Sequence, residues 1–164
     1  MLPRANNQGI AGDARTASRC NLNWPAWSRQ TPERYVLGVS HFGHIDLRVS
    51  DLAAALAFYE ALMPAVGFTE RYHGDSWKVW ATTEPLPSTG YFGITEDRNH
   101  VANSNRIAFW VESDAEVERI AEVVHTAGAV DLSGPKSMPY SPGYYAAFFA
   151  DPSGNRLEVY VRPE

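Results

Sequence analysis

Cysteine is nearly absent. The 164-residue chain has one, Cys20, so no disulfide can form within it, and its composition suits a reducing compartment. Positive charge is scarce as well: 14 lysines and arginines face 19 acidic residues, for a net charge of −5. Nothing here builds a basic surface, which argues against nucleic acid as a partner. Long apolar runs are missing too, so no segment of the sequence reads as a bilayer span. The opening "MLPRANNQGIAGDARTASRC" lacks the apolar centre of a secretory signal. A cytoplasmic protein without membrane contacts is the expectation.

What is present is an ordinary globular composition, 45% hydrophobic and 20% charged, with enough length for one domain and a substantial core. Residues 1–36 read as an N-terminal arm, partly irregular. Its Trp24 and Trp27 are costly to leave in water and are expected to pack against the body or a partner chain.

From residue 41 the pattern becomes regular. In "HIDLRV" Ile45, Leu47 and Val49 alternate with His44, Asp46 and Arg48, the period of a strand with one buried face. Asp51 is placed to cap a helix whose stripe is Leu52, Ala55, Leu56, Tyr59 and Leu62. Pro64 and Gly67 end it. Three strand-like runs follow, "GFTERYHG", "SWKVWATT" and "GYFGITE". Then the order repeats. "RIAFWV" alternates, and Ser113 with Glu116 forms a capping box before a helix with Val117, Ile120 and Val124 on its stripe. Gly128 closes that helix, and His125 in its last turn suits the helix dipole. Strand-like runs follow around Val130, at "GYYAAFFA" and at "NRLEVYV". Leu47 answers to Phe109 and Val49 to Val111, a shift of 62 positions (109 − 47 and 111 − 49). The fold class is therefore α+β: two βαβββ modules, residues 41–98 and 104–162, forming one curved mixed sheet with a helix behind each half.

The strand faces turned away from the helices carry the chemistry. They hold His44, Asp46 and Arg48 on one strand, Arg106, Ala108 and Trp110 on its repeat, and Glu158 and Tyr160 on the last. Titratable groups mixed with large aromatics are the makeup of a cleft lining rather than of a solvated face. Tyr144, Phe148 and Trp77 are further candidates to line it, and "SGPKSMPYSPGYY" reads as a mobile loop over its mouth. Asp151-Pro152-Ser153-Gly154 reads as a tight turn that leads into the last strand.

"GHIDLRVSDLAAALAFYEALMPAVGF" and "YYAAFFADPSGNRLEVYV" resemble the opening and closing signatures of the vicinal oxygen chelate superfamily. That superfamily includes glyoxalase I, extradiol dioxygenases, and fosfomycin- and bleomycin-resistance proteins. The resemblance covers about residues 41–162. It implies a cup-shaped sheet, a homodimer, and a small-molecule site that in many members holds Fe, Mn, Ni or Zn. By this resemblance His44 matches the first metal ligand and Glu158 the third. The middle position, usually His, is Arg106 here. A guanidinium stays protonated and cannot be an ordinary ligand, and it competes with a metal for the same carboxylate. Asp46, His100, a residue from "GYFGITE" or a partner-chain residue would have to complete the site.

Two functions follow. In the first, His44 and Glu158 hold a divalent metal, with Arg106 beside it as a further catalytic residue. Such an enzyme would be a lyase, an isomerase or a ring-cleaving dioxygenase acting on a compound with adjacent oxygens. In the second, the cup binds an aromatic or anionic small molecule without metal, as a bleomycin-resistance-like sequestration protein does. Asp46, Trp110, Tyr144, Phe148 and Tyr160 contact the ligand in either case. Glu158 is then either a metal ligand or the ion-pair partner of Arg106.

Overall fold

The computed structural model describes residues 42–83 and 89–162. The arm at 1–36 with its tryptophans, Cys20 and His41 lie outside the described residues. The first module runs β1 (His44–Val49), α1 (Leu52–Ala65), β2 (Glu70–His73), β3 (Trp77–Ala81) and β4 (Tyr91–Glu96). The second runs β5 (Arg106–Trp110), α2 (Asp114–Thr126), β6 (Val130–Ser137), β7 (Tyr145–Ala150) and β8 (Arg156–Val161). The expected doubled βαβββ order is present. Its strands hydrogen-bond as two four-stranded mixed sheets of matching topology, β1-β4-β3-β2 and β5-β8-β7-β6, each with one parallel pair.

The helix caps follow the local sequence, but Pro64, read as a stop, lies inside α1, which runs on to Ala65. Asp51 accepts from the amides of Ala53 (2.9 Å) and Ala54 (3.0 Å) at the start of α1. Ser113 accepts from the Glu116 amide at 3.3 Å, while the Glu116 carboxylate reaches past the cap to the Glu112 amide at 2.8 Å. Both helices close with the same backbone device. Gly67 and Gly128 both sit at φ +93°, the left-handed region, and the next amide turns back to the carbonyl five residues earlier: Phe68 to Met63 and Ala129 to Val124.

One structural correction concerns the expected loop over the cup mouth. Its first residues, Ser133 to Ser137, belong to β6. Pro135 is tolerated because β6 is the edge of its sheet, and its pairing with β7 shifts register twice along the way.

The core lies where the helix-facing side of each sheet meets α1 and α2. Val49, Phe58, Tyr59, Leu62, Trp80, Phe92 and Ile94 come from the first module, and Phe109, Ile120, Leu157 and Val159 from the second. The modules share this core. Phe109 packs 5.7 Å from Phe92 and 6.4 Å from Phe68, centroid to centroid, and Phe58 packs 6.2 Å from Phe149.

A polar joint adds to the packing. The turn at Asp151 forms as read, with the Gly154 amide donating to the Asp151 carbonyl at 2.9 Å. The Asp151 carboxylate is fully buried and accepts from the Ser153 amide (2.8 Å), the Asn155 amide and side chain (each 2.9 Å), and the Tyr59 hydroxyl of the other module (2.9 Å). Asn155 also donates to the Arg48 carbonyl at 2.9 Å. Burial, then the charge and hydrogen bond of Asp151, push the Tyr59 hydroxyl well above its ordinary pKa.

Candidate functional site

Parity along a strand decides what faces away from the core. Arg106, Ala108 and Trp110 pair in register with Arg156, Glu158 and Tyr160, which pair on the other side with Ala150, Phe148 and Ala146. These nine residues share the open face of the second sheet. Glu158 sits mid-way along β8, the strand between β5 and β7, with the small Ala108 on one side and the Phe148 ring on the other.

Although it lies on the open face, Glu158 is only 5% exposed. The Tyr144 hydroxyl donates to its Oε1 at 2.6 Å, and the Arg106 Nη1 stands 3.9 Å from its Oε2. The guanidinium carbon of Arg106 lies 4.8 Å from the centre of the Phe148 ring, within cation–π range. Tyr144 is stacked on Tyr160 at 5.0 Å with the planes 5° apart, and Tyr140 meets Tyr144 edge-on at 5.3 Å. Desolvation first, then the hydrogen bond to Glu158 and its charge, raise the Tyr144 pKa. The hydroxyl therefore stays protonated at neutral pH and keeps donating. Trp110 completes the row at 58% exposure.

A cleft of about 720 Å³ opens beside this cluster. Arg106 and Phe148 belong to both, and Lys136, Met138, Tyr140 and Arg156 extend the wall. The geometry thus gathers five of the expected residues, Arg106, Phe148, Tyr144, Glu158 and Tyr160, with Trp110 at the rim. The sequence reading missed Arg156, Lys136 and Tyr140. Arg156 carried a usable signal, since it is two residues from Glu158 and so shares its face.

His44 and Asp46 belong to the first module. They lie on the open face of the first sheet, exposed, in register with Tyr91 and Gly93. Asp46 is paired with Arg48 at 2.7 Å and accepts from Thr95 at 3.0 Å. No hydrogen bond or ion pair among the described residues joins His44 to Glu158. His100 contacts the Asn155 side chain at 2.9 Å and so belongs to the polar joint. Trp77 is likewise on the first sheet, where it pairs with Thr95.

Residues 41–159 match the sequence model of the glyoxalase/bleomycin resistance protein/dioxygenase superfamily. The chain belongs to that superfamily. It is 30% identical over 119 residues to the uncharacterized protein PA2024 of Pseudomonas aeruginosa, covering 70% of this chain and 84% of that one. Among solved structures it resembles a glyoxalase/bleomycin resistance protein of Albidiferax ferrireducens, with TM-score 0.62 and 25% identity over 76% of this chain and 100% of the other. It also shares its fold with the fosfomycin resistance protein FosX of Listeria monocytogenes, with TM-score 0.58 and 21% identity over 76% of this chain and 95% of the other.

Superfamily members commonly use divalent metals, so the donor set must be tested for one. It does not fit. Among the described residues no three His, Cys, Asp or Glu side chains come together. One oxygen of Glu158 is taken by the Tyr144 hydroxyl and the other faces the permanent cation of Arg106. Among the described residues, no helix is long and apolar enough to cross a membrane.

Proposed function

We propose that this superfamily member binds a small anionic molecule with a planar, aromatic part, on the open face of β5 and β8, without a metal. The observation that carries the reading is the Arg106–Glu158–Tyr144 cluster. A buried carboxylate held by a tyrosine and faced by an arginine needs no ion to balance it.

The cluster suits a ligand in three ways. The Arg106 side chain has five N–H donors and makes no hydrogen bond among the described residues, while its contact with Glu158 is a loose 3.9 Å. Its remaining donors serve a carboxylate or similar group in the cleft. The Phe148 and Tyr160 rings and the exposed Trp110 offer flat apolar surface for the planar part. Glu158 and Tyr144 fix the position of the guanidinium from beneath. The resulting activity is capture, the sequestration mode of the two expected from the sequence.

The test has two halves. Protein incubated with Fe(II), Mn(II), Ni(II) or Zn(II) and desalted is expected to retain no more metal than a Glu158→Gln control. Benzoate binding, followed by calorimetry, is expected to be unmoved by chelator. Arg106→Leu should weaken it about tenfold, the factor that ~1.4 kcal/mol of lost charge-assisted hydrogen bonding gives. Near one metal per chain, lost in the control, would overturn the reading in favour of the metal enzyme. Conversion of a bound compound would exclude pure capture.

A further inference from the structure

The cleft carries more positive charge than a single carboxylate needs. Its wall holds Arg106, Lys136 and Arg156 against one acidic residue, Asp131, in a chain whose net charge is −5. Arg106 and Arg156 are register partners on adjacent strands, so two guanidinium groups leave the same face side by side. Like charges placed directly opposite in a sheet destabilise it. The Glu158 carboxylate faces the Arg106 guanidinium at 3.9 Å. The Arg156 side chain is exposed and makes no hydrogen bond or ion pair among the described residues.

The neighbouring rim supplies donors of the same kind. Asn103 uses its side-chain oxygen to accept from the Asn105 amide at 2.7 Å, which leaves its NH₂ group free to donate. The Ser104 hydroxyl lines the same wall. Lys136 is held by Ser133 at 2.9 Å, with two of its three N–H groups left for a ligand. The arrangement is rich in donors and short of acceptors, and its two fixed guanidinium forks match a group with several anionic oxygens.

We propose that Arg106 and Arg156 together form a subsite for a compact dianionic group, so that the ligand class is an aryl-bearing dianion rather than a simple aromatic monocarboxylate. This rests on the binding reading above and sharpens it. A tetrahedral phosphate monoester and a pair of adjacent carboxylates both satisfy the chemistry. In either case the dianion sits between the two guanidinium groups, while the ring lies against Phe148, the aromatic surface that the cleft shares with the cluster.

The experiment measures binding of benzoate, phthalate and phenyl phosphate to the full chain by calorimetry. It is run at about pH 8, above the second phosphate pKa of about 6, so that phenyl phosphate is a dianion. Wild-type protein is expected to bind at least one dianion about tenfold or more tightly than benzoate. Preference for phenyl phosphate names the tetrahedral group, preference for phthalate the dicarboxylate, and equal preference a site that reads charge alone. Arg156→Gln removes no side-chain hydrogen bond or ion pair among the described residues. It is expected to abolish the tenfold preference and to leave benzoate within about twofold of wild type. Three results overturn the subsite: equal affinity for all probes, an Arg156→Gln effect that is the same on benzoate as on the dianions, or no effect of that substitution. If benzoate still binds through Arg106 in those cases, the binding reading stands without the subsite. No binding of any probe overturns both.

Discussion

Removal of one oxygen tests the central cluster. Tyr144→Phe keeps the ring that stacks on Tyr160 at 5.0 Å and deletes the hydroxyl that donates to Glu158 at 2.6 Å. A hydrogen bond to a charged group contributes about 1.5–3 kcal/mol. Tyr144 is partly open to water, which can replace some of that, so the lower end applies and the expected cost is about 1.5 kcal/mol. For a chain of this length that lowers Tm by roughly 3–6 °C. In a Glu158→Gln background the same hydroxyl meets a neutral amide oxygen. Charge-assisted bonds are about twice as strong as neutral ones, so the Phe substitution should then cost about half as much, ~0.7 kcal/mol. Urea unfolding of the four proteins gives both numbers, and the coupling between them exceeds the ~0.3–0.5 kcal/mol scatter of independent sites. Equal costs in the two backgrounds would refute the argument that Tyr144 is there to hold a buried carboxylate. So would a Tyr144→Phe protein as stable as wild type.

Three further outcomes follow from the same coordinates. Tyr59→Phe removes one of four donors to the buried Asp151 while sparing the ring packing against Phe58 and Phe92, and should cost about 2 kcal/mol in urea unfolding; a cost under about 0.5 kcal/mol would mean that the joint between modules does not depend on this bond. Gly134→Ala should cost more than about 2 kcal/mol. Its φ is +95° and a Cβ there would stand 2.6 Å from the Ala146 carbonyl oxygen; wild-type stability would show that β6 can shift to make room. Finally, stability should fall as pH rises above about 10, the pKa of tyrosine in the unfolded chain. Tyr59 and Tyr144 are both raised in the folded state, so the fold keeps protons that the unfolded chain has lost, and their contribution is complete below that pH and declines above it. A flat profile of unfolding free energy between about pH 9 and 11 would contradict this assignment.

The sequence by itself determined the modules. Strand and helix periods are local properties, as are the caps at Asp51 and Ser113 and the turn at Asp151, so the doubled order and the buried faces of β1, β5, β8 and the two helices could be read from the sequence. Parity also placed Arg106, Trp110, Glu158 and Tyr160 on helix-averted faces. Parity does not say which faces meet. His44 and Glu158 satisfy the same strand rule, yet they stand on different sheets, because ladder pairing closes within each module and the core joins the modules through Phe92, Phe109, Phe58 and Phe149. Tertiary structure alone brought the Tyr144 hydroxyl within 2.6 Å of Glu158, through the antiparallel pairing of β7 with β8. It also gave a role to Asp151, whose buried carboxylate binds a tyrosine 92 positions away. Burial decided the rest. A carboxylate in a strand reads the same whether wet or dry, and only the packing of Tyr144, Phe148 and Arg106 around Glu158 shows that it is dry, held and already balanced by a cation.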